Sequence, residues 1–385
     1  MKLALVISSL GGGGAERVMT MLAKAWANAG NEVTLITLAS PHTDSYPLDP
    51  AVQRIALAVA GDSPHAVAAI GNNLARLRAL RRAIKGCRPD VVISFMANTN
   101  LLSVTAALGL GVPVIVSERV SVEAQPPRGI RAVLYRLLYR RAAAVVAQTR
   151  RAARDIERRT GRAVSVIPNP VSQVSTPANR GVSGDEPPMR SGTDRRNLLA
   201  VGRLSPQKGF DLLLEAFACV AGHHANWDLT ILGEGRSRAG LTATIVARGL
   251  ASRVSMPGFD SHVREAMRQA DLFVLSSRFE GFPNVLLEAM SEGRACASFD
   301  CNTGPRELIC HGENGWLVPA EDVPALAAAL DVLMGDDGLR ARLGAHAREV
   351  LTLYSLPAVL GQWNALLASV TTSAGDMKAA QEVAR

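Results

Sequence analysis

The chain has 385 residues, 48% of them hydrophobic, and a formal net charge of +8 at pH 7. This length suits two domains better than one, and the apolar fraction is enough to fill two cores, which excludes disordered and fibrous classes. Because the longest apolar runs are broken by Arg, Gly or Pro before the ~18 residues that a membrane span needs, and because Met1 and Lys2 lead straight into a strand-like run, we expect a cytoplasmic protein without a signal peptide.

The first half of the chain alternates short β-like runs with helical patterns. These runs are KLALVIS (2–8), EVTLITL (32–38), VVISF (91–95), VPVIVSE (112–118), AVVAQT (144–149) and VSVIP (164–168). Strands that alternate with helices are typical of βαβ units, which build a parallel sheet. We therefore predict a first domain over residues 1–171.

The alternation stops after residue 171 and then resumes. Residues 172–196 are rich in Ser, Gly, Pro and charge and have no apolar period, which predicts a linker or surface loop. The later β-like runs are 197–204, 228–235, 254–259, 271–277, 295–301 and 315–319. They predict a second domain over 197–370, whose last helix packs back on the first domain, and a frayed tail over 371–385. The predicted fold class is α/β, with two doubly wound parallel-sheet domains facing a cleft.

Positive charge is concentrated in the first half of the chain. Residues 1–180 hold 23 Lys and Arg against 10 Asp and Glu, a net of +13, which leaves −5 for residues 181–385. Most of this charge is arginine in two stretches, 72–88 and 128–162, with Leu, Ile, Val and Tyr between the arginines. Each stretch can present a basic and an apolar face, so we expect contact with an anionic membrane surface. The contact residues predicted in the first stretch are Arg76, Arg78, Arg81 and Arg82.

Three motifs follow predicted strands, where open parallel sheets bind their ligands. The first, SSLGGGGAER at 8–17, opens a helix, and its glycines let backbone amides approach an anion. In the second, GRLSPQKG at 202–209, Arg203 can clamp phosphate oxygens and Lys208 supplies a compact charge. The third, FEGFPNVLLEAM at 279–290, places one glutamate in a strand-to-helix loop and another inside the helix.

The two glutamates of the third motif indicate the ligand. Glu280 can accept hydrogen bonds from hydroxyls beyond the strand end, and Glu288, eight residues later, can reach a second polyol. Two such acceptors and an Arg/Lys pair suit a ligand with hydroxyls at both ends and a diphosphate between them. The sequence therefore predicts a nucleotide sugar.

Taken together, the motifs resemble the retaining glycosyltransferases of family 4, which have the GT-B fold. The resemblance covers nearly the whole chain and rests on the Glu280/Glu288 pair, the run 202–208, Gly-Glu-Gly at 233–235, the Gly-rich opening at 11–17 and Pro-Asn-Pro at 168–170. GGGGAER, VVISF and VSER look most like bacterial members that extend polyprenyl-diphosphate-linked oligosaccharides. The expected activity is therefore a hexosyl- or N-acetylhexosaminyltransferase of cell-surface polysaccharide or glycan biosynthesis.

This resemblance implies transfer with retention of configuration from a UDP-sugar or, less favoured, from GDP-mannose. Arg203 and Lys208 would neutralise the diphosphate leaving group, with Glu280 as the third catalytic residue holding the donor sugar. Glu288 would hold the ribose. The other donor-binding residues are expected to be Gly13, Gly14, Gly281, Phe282, Pro283 and Asn284, with backbone amides of Phe282 and Asn284 presented to the sugar. Since no Asp-x-Asp occurs in the chain, we expect no bridging metal and no cofactor.

On the acceptor side the resemblance points to Glu118 and Arg119. A histidine often follows Ser-Glu in the subfamily that this chain resembles, and here that position is Arg119. The expected partners are a nucleotide-sugar donor, a polyprenyl-diphosphate-linked saccharide acceptor and an anionic membrane. The protein would then lie peripherally on the inner face of the plasma membrane.

Three other functions account for parts of the sequence. An oxidoreductase is disfavoured because Glu16 replaces the third glycine of Gly-x-Gly-x-x-Gly and no acid ends the second strand. A GT-B nucleotide-sugar epimerase would share both domains but turn over without an acceptor. A nucleic-acid binder would use the basic half, which has few aromatic side chains to stack on bases, so we expect no nucleic-acid partner.

Overall fold

A computed structural model of the protein describes residues 1–61, 66–120, 123, 126–171 and 195–383, with side chains described outside 43, 66–70 and 373–383. The chain divides into two compact units. The first comprises Met1–Asn169 and Pro357–Arg385, and the second comprises Pro170–Leu356. Of the linker predicted at 172–196, residues 172–194 lie outside the described part, and the remaining two lead into a strand.

The first unit contains a seven-stranded sheet in the order β3-β2-β1-β4-β5-β6-β7, and its printed pairings are all parallel. Its strands are β1 (Lys2–Ile7), β2 (Glu32–Thr37), β3 (Gln53–Ala56), β4 (Val91–Phe95), β5 (Val114–Ser117), β6 (Ala144–Ala147) and β7 (Ser165–Val166). The inner strands are buried almost along their whole length because helices cover both faces of a parallel sheet.

The helices of the first unit before its last one connect these strands. They are α1 (Gly14–Asn28), α2 (Ala66–Cys87), α3 (Ala97–Ala107), α4 (Ile130–Arg141) and α5 (Arg150–Thr160). Neighbours in the series α2 to α5 contact one another. Because crossovers between parallel strands are right-handed, the change of direction in the strand order places α1 on one face of the sheet and α2 to α5 on the other.

Strand β3 is absent from the sequence prediction. It pairs only with β2, at the edge of the sheet, and three of its four residues are half-buried. An edge strand is covered less than a central one, so its sequence, QRIA, carries no apolar run from which it could be recognised.

The second unit contains a six-stranded sheet in the order β10-β9-β8-β11-β12-β13, also with parallel pairings. Its strands are β8 (Arg196–Val201), β9 (Trp227–Leu232), β10 (Val254–Gly258), β11 (Leu272–Leu275), β12 (Cys296–Asp300) and β13 (Trp316–Pro319). Its helices are α6 (Phe210–Val220), α7 (Arg238–Ala247), α8 (Val263–Gln269), α9 (Asn284–Ser291), α10 (Pro305–Leu308), α11 (Val323–Gly335), α12 (Asp337–Ala347) and α13 (Val350–Leu353).

Two separate cores lie on the two faces of this second sheet. One contains apolar residues of α6, α7, α11 and α12, and the other contains those of α8, α9 and α13. A sheet with helices on both faces is doubly wound. Both units therefore have the Rossmann-like parallel-sheet architecture that the alternation of the sequence predicts, and this part of the fold prediction is confirmed.

The last helix, α14 (Leu356–Val383), lies with the first unit apart from its first residue. Trp26 of α1 donates a hydrogen bond from Nε1 to Asn364 Oδ1 over 2.9 Å, and Trp363 packs against the rings of Trp26 and Phe95. The sequence predicts a frayed tail over 371–385, and the described backbone of this segment is helical to Val383. Good helix formers such as Ala, Met, Lys, Gln and Glu dominate this segment.

One helical stretch in the described part of the chain, Asp337–Thr372, is long and apolar enough to cross a membrane by length and composition alone, with a mean hydropathy of 1.2. It runs through α12, α13 and the start of α14. Core helices of folded domains pass the same test, and Trp363, Leu367 and Val370 are buried. The stretch is therefore only a weak indication of a span.

Candidate functional site

The second sheet has a topological switch point between its neighbouring strands β8 and β11. From β8 the chain passes through α6 on one face, and from β11 it passes through α9 on the other. Crevices of this kind, outside the carboxyl ends of the strands, are where open α/β sheets bind ligands. The loops that follow these two strands contain the second and third sequence motifs, so both motifs meet at this point.

Lys208 and Glu280 form an ion pair at the switch point. Lys208 Nζ lies 2.6 Å from Glu280 Oε1, and the two side chains are only 17% and 8% exposed. Ser277 Oγ donates a hydrogen bond of 2.6 Å to the same carboxylate oxygen. Charges removed from water in this way interact more strongly than surface charges. Lys208 and Glu280 are therefore not ordinary solvated surface residues. The residues predicted to hold the leaving group and the sugar thus contact each other directly.

Hydrogen bonds from side chains to backbone carbonyls hold the two loops together. Ser276 Oγ donates to the carbonyl of Lys208 over 3.0 Å, and Gln207 Nε2 donates to the carbonyl of Phe279 over 3.0 Å. Gly209 has a φ of +62°, and a Cβ there would overlap the carbonyl oxygen of Ser276. Only glycine allows the loops to approach this closely, which positions Lys208 for its contact with Glu280.

The loop after β12 supports Glu280 from a third strand end. Thr303 Oγ1 donates to the carbonyl of Glu280. The neighbouring Gly304 has a φ of +101°, and a Cβ there would overlap Cδ of Pro283. Sequence reasoning missed Thr303 and Gly304. The turn residues NTGP directly after an apolar run were the available signal.

The Gly-Glu-Gly segment at 233–235 packs against the loop that carries Arg203. The amide of Leu204 donates to the carbonyl of Glu234 over 2.8 Å, and a Cβ on Gly233 would overlap the carbonyl oxygen of Gly202. The Arg203 side chain itself is exposed. The loops after β8 and β9 therefore form one layer at the carboxyl edge of the sheet, with Arg203 on its surface.

The remaining donor-binding residues of the sequence prediction lie around the start of α9. Phe282 is buried, and the amide of Asn284 donates to the carbonyl of Phe282 over 3.0 Å. Of the two amides expected to face the sugar, that of Asn284 is thus engaged within the loop. Glu288 is 6% exposed in the second turn of α9, which is unusual burial for a helix carboxylate.

Phe259 is a second feature that sequence reasoning missed. It follows β10 at the carboxyl edge of the sheet and is 81% exposed. The carbonyl of the preceding Gly258 accepts a hydrogen bond of 2.7 Å from the amide of Gly233, which joins this loop to the Gly-Glu-Gly layer. The sequence pattern predicts that Phe259 is the last residue of the β-like run 254–259, and therefore does not indicate its exposure at the end of the strand.

In the first unit the Gly-rich loop precedes α1, with Gly13 at the N-cap and Gly14 as the first helical residue. The carboxylate of Glu16 folds back over this start, where a Cβ on Gly13 would overlap it. A helix N-terminus favours negative charge. The chain's own carboxylate therefore lies at the predicted anion site.

Glu118 lies at the carboxyl end of β5 in a buried polar network. Tyr139 donates its hydroxyl hydrogen to Glu118 Oε1, and Asn100 Nδ2 donates to the Tyr139 hydroxyl over 3.0 Å. Burial, opposed by these hydrogen bonds, raises the pKa of Glu118 to about 7. Glu118 also lines a cavity of about 440 Å³ together with Ser8, Thr99, Arg131 and Tyr135. The carboxyl group is thus placed to exchange a proton near neutral pH.

This raised pKa predicts a pH-dependent stability. Between pH 4.5, the ordinary pKa of the carboxyl group, and about pH 7, Glu118 is mostly protonated in the folded protein and mostly ionised in the unfolded chain. The free energy of unfolding therefore falls as the pH rises through that window. We expect Glu118→Gln to gain stability relative to the wild type from pH 5 to pH 8, by up to about 3 kcal/mol. Urea unfolding at both pH values measures the difference, and a constant difference would contradict the assignment.

Arg119 lies inside the first unit. Its guanidinium carbon is 3.6 Å from the centroid of the Phe95 ring and 5.9 Å from that of Trp363, and Nη1 donates to Asn169 Oδ1 over 2.5 Å. Burial lowers the pKa of Arg119, although the charge of Glu118 opposes the shift. In this position Arg119 packs against α14, and its acceptor-side role stays a prediction.

Two of the four arginines predicted for membrane contact bind backbone carbonyls instead of pointing freely into solvent. Arg76 donates from Nε to the carbonyl of Val59 over 3.0 Å. Arg81 Nη1 donates to the carbonyls of Ala106 and Leu108, over 2.8 and 2.6 Å, at the C-terminal end of α3. Helix ends attract cations in this way. Arg78 and Arg82 are exposed.

Comparison with known protein families connects both units to one class of enzyme. Residues 186–350 match the family model "Glycosyl transferases group 1", and residues 12–173 match "Glycosyltransferase Family 4". The two matches cover the two sheet-forming parts of the chain in turn.

Among curated relatives, the GalNAc-alpha-(1->4)-GalNAc-alpha-(1->3)-diNAcBac-PP-undecaprenol alpha-1,4-N-acetyl-D-galactosaminyltransferase of Campylobacter jejuni is 28% identical over 374 residues. That alignment covers 96% of this chain and 99% of the relative. An exopolysaccharide phosphotransferase of Streptomyces coelicolor is 33% identical over 237 residues, which cover 60% of this chain but 24% of that protein.

Solved structures show the same fold. A lipopolysaccharide outer core galactosyltransferase, WaaB, superposes with a TM-score of 0.73 at 22% identity, covering 96% of this chain and 99% of its own. Anabaena HepE in complex with UDP superposes with a TM-score of 0.75 at 18% identity, covering 96% of this chain and all of its own. The chain therefore has the GT-B fold, and its first and second halves match the glycosyltransferase family 4 and group 1 models in turn.

Proposed function

We propose that the protein transfers a hexosyl or N-acetylhexosaminyl group, with retention of configuration, from a nucleotide-diphosphate sugar to a polyprenyl-diphosphate-linked glycan. The favoured donor is a UDP-sugar. The reaction would belong to cell-surface polysaccharide or lipid-linked glycan assembly. The nucleotide-sugar donor would bind at the switch point of the second unit.

The observation that carries this proposal is the buried Lys208–Glu280 pair between β8 and β11. A diphosphate bound there would meet Lys208 together with the exposed Arg203, so two cations could take up the negative charge that grows on the leaving group. Glu280 would then be released from part of its pairing and could accept hydrogen bonds from sugar hydroxyls. Donor binding would thus exchange part of the Lys208–Glu280 ion pair for contacts of Lys208 with the diphosphate and of Glu280 with the sugar.

The proposed acceptor draws on the full-length Campylobacter relative, which is named for a diphospho-undecaprenol-linked saccharide. The donor class draws on Anabaena HepE, which was solved with UDP. In this chain, the cavity beside Glu118 offers the acceptor hydroxyls a carboxyl group whose pKa lies near neutrality.

A transfer assay tests the proposal. The full chain is incubated with a panel of UDP- and GDP-sugars and with short prenyl-diphosphate saccharides, and the product linkage is determined by NMR. We expect one donor to give an α-linked product from an α-linked donor. A β-linked product would contradict retention. Turnover of the donor into a second nucleotide sugar without an acceptor would replace the transferase with an epimerase.

Catalysis is expected to be independent of metal. Arg203 and Lys208 would take the role that a bridging cation has in other diphosphate sites, and no Asp-x-Asp occurs in the chain. We expect full transfer activity in excess EDTA. Activity that disappears with EDTA and returns with magnesium or manganese would contradict this prediction.

Phe259 is expected to stack on the base of the nucleotide. An aromatic ring exposed at the carboxyl edge of the sheet, beside the Gly-Glu-Gly layer, offers a flat apolar surface that a base can cover. Since stacking on an aromatic side chain contributes ~1 to 3 kcal/mol, Phe259→Ala should raise the donor KM about tenfold with little change in kcat. Phe259→Tyr should restore the KM. An unchanged KM in the alanine variant would remove the ring from the donor site.

A further inference from the structure

Helix α4 carries an exposed apolar stripe. Ile130, Val133, Leu134 and Leu137 are 72%, 52%, 42% and 53% exposed. Their spacing of three, four and seven residues places them along one side of the helix. The opposite side packs into the core of the first unit through Tyr135 and Tyr139, which are 2% and 0% exposed. The helix is therefore apolar on two sides, one buried within the unit and one open.

The exposed charged side chains of α2 to α5, which lie on the same face of the sheet, are all basic. Helices α2, α3 and α4 contain no Asp or Glu, and the two acidic side chains of α5, which contacts α4, are buried or half-buried. Arg136 and Arg141 are exposed on α4, and Arg78 and Arg82 are exposed on α2. Apolar side chains flanked by arginines, without exposed acidic residues beside them, are typical of helices that lie in the interface of an anionic bilayer.

The same pattern disfavours other partners for the stripe. In a dimer of two copies through α4, arginines of both copies would approach one another, and like charges across an interface are unfavourable. Four of the exposed large hydrophobic residues in the described part of the chain lie on this twelve-residue helix, and the others are scattered over both units. Scattered exposure is normal for a folded protein, but a continuous stripe indicates a contact surface.

We propose that α4 docks the protein on an anionic lipid bilayer, with Ile130, Val133, Leu134 and Leu137 inserted at the level of the upper acyl chains. Arg136 and Arg141 lie at the level of the lipid phosphates. The principal contact thus belongs to α4 rather than to α2, two of whose arginines bind backbone carbonyls. The inference deepens the proposed function, because a prenyl-linked acceptor lies in such a membrane. Vesicle binding itself requires neither donor nor acceptor.

Sedimentation of the full chain with vesicles of phosphatidylglycerol and phosphatidylethanolamine, or of phosphatidylcholine alone, tests this surface. The main variant replaces Ile130, Val133, Leu134 and Leu137 with serine. A matched control replaces Val246 and Val332, which are 66% and 45% exposed on the second unit. We expect the wild type and the control to bind anionic vesicles alike, and the stripe variant to partition about tenfold more weakly or worse. Arg136→Gln with Arg141→Gln should lower binding at low salt and reduce its salt dependence.

The outcomes separate this inference from the proposed function. Wild-type binding by the stripe variant, with the thermal unfolding midpoint unchanged, would overturn it. So would a wild-type dimer that the serine substitutions convert to a monomer without any vesicle binding. The stripe variant should retain wild-type transfer to an acceptor dispersed in detergent. If wild-type protein binds vesicles through α4 but transfers no sugar, the docking surface stands and the proposed transferase reaction fails.

Discussion

Arg203→Ala and Lys208→Ala should each lower the turnover of sugar transfer by roughly two to three orders of magnitude, the cost of removing one preorganised donor to developing charge. The two substitutions should differ in stability. Arg203 is exposed, so its removal leaves the fold intact, whereas Lys208→Ala leaves the buried Glu280 carboxylate without its partner. Steady-state kinetics and urea unfolding of both variants measure the two effects.

Arg248→Ala is the control for these variants. Arg248 is exposed and pairs with Glu215 at the far end of α7, away from the carboxyl edge of the sheet. We expect wild-type turnover from it. If Arg203→Ala also turned over at the wild-type rate, Arg203 would have no part in stabilising the leaving group.

Glu280→Gln should separate sugar binding from diphosphate binding. The substitution keeps the size of the side chain but removes the charge that pairs with Lys208 and accepts from Ser277. Because hydrogen bonds to charged groups contribute ~1.5 to 3 kcal/mol each, losing two toward the sugar should lower kcat/KM roughly 100-fold. The affinity for free UDP should stay within a few-fold of the wild type, since UDP carries no sugar at this position.

Calorimetric titration with UDP and with the UDP-sugar distinguishes the roles. Ser277→Ala, which removes only one hydrogen bond to the carboxylate, should show a smaller loss in the same direction. Equal losses of UDP and UDP-sugar affinity in Glu280→Gln would mean that Glu280 acts on the diphosphate through Lys208 and does not bind the sugar.

The fold could be predicted from the sequence because both sheets are parallel and covered on both faces. Strands such as Leu198 to Val201 are then apolar at every position, and each is followed by a helical pattern. The edge strand β3 lacks this signature. The helical backbone from residue 371 to Val383 was also not predicted, because the prediction rested on the small and polar residues of this segment and not on its good helix formers.

Individual site residues could be predicted, but their contacts could not. Arg203, Lys208 and Glu280 each follow a strand, and that placement is visible in the sequence. The ion pair joins residues 72 positions apart, and it depends on Gly209 allowing two loops to touch. Thr303 supports Glu280 from yet another strand end. Such contacts arise only from the order of strands in the sheet, which the sequence pattern does not specify.

The arginines illustrate the same limit. A basic helix has one sequence signature whether its side chains face water, lipid or a backbone carbonyl. Arg81 turned out to bind the end of α3, which depends on how α2 packs against α3. The exposed stripe of α4 is likewise visible only once Tyr135 and Tyr139 are known to occupy the buried side.

The central claim is that the switch point of the second unit binds a nucleotide-diphosphate sugar through Arg203, Lys208 and Glu280. Thermal unfolding of the full chain against a panel of nucleotide sugars tests it most directly. At 100 times its dissociation constant the true donor should add ~2.7 kcal/mol of stability, and Arg203→Ala should remove most of that gain at the same concentration. Stabilisation by no nucleotide sugar, or stabilisation that Arg203→Ala leaves unchanged, would contradict the account.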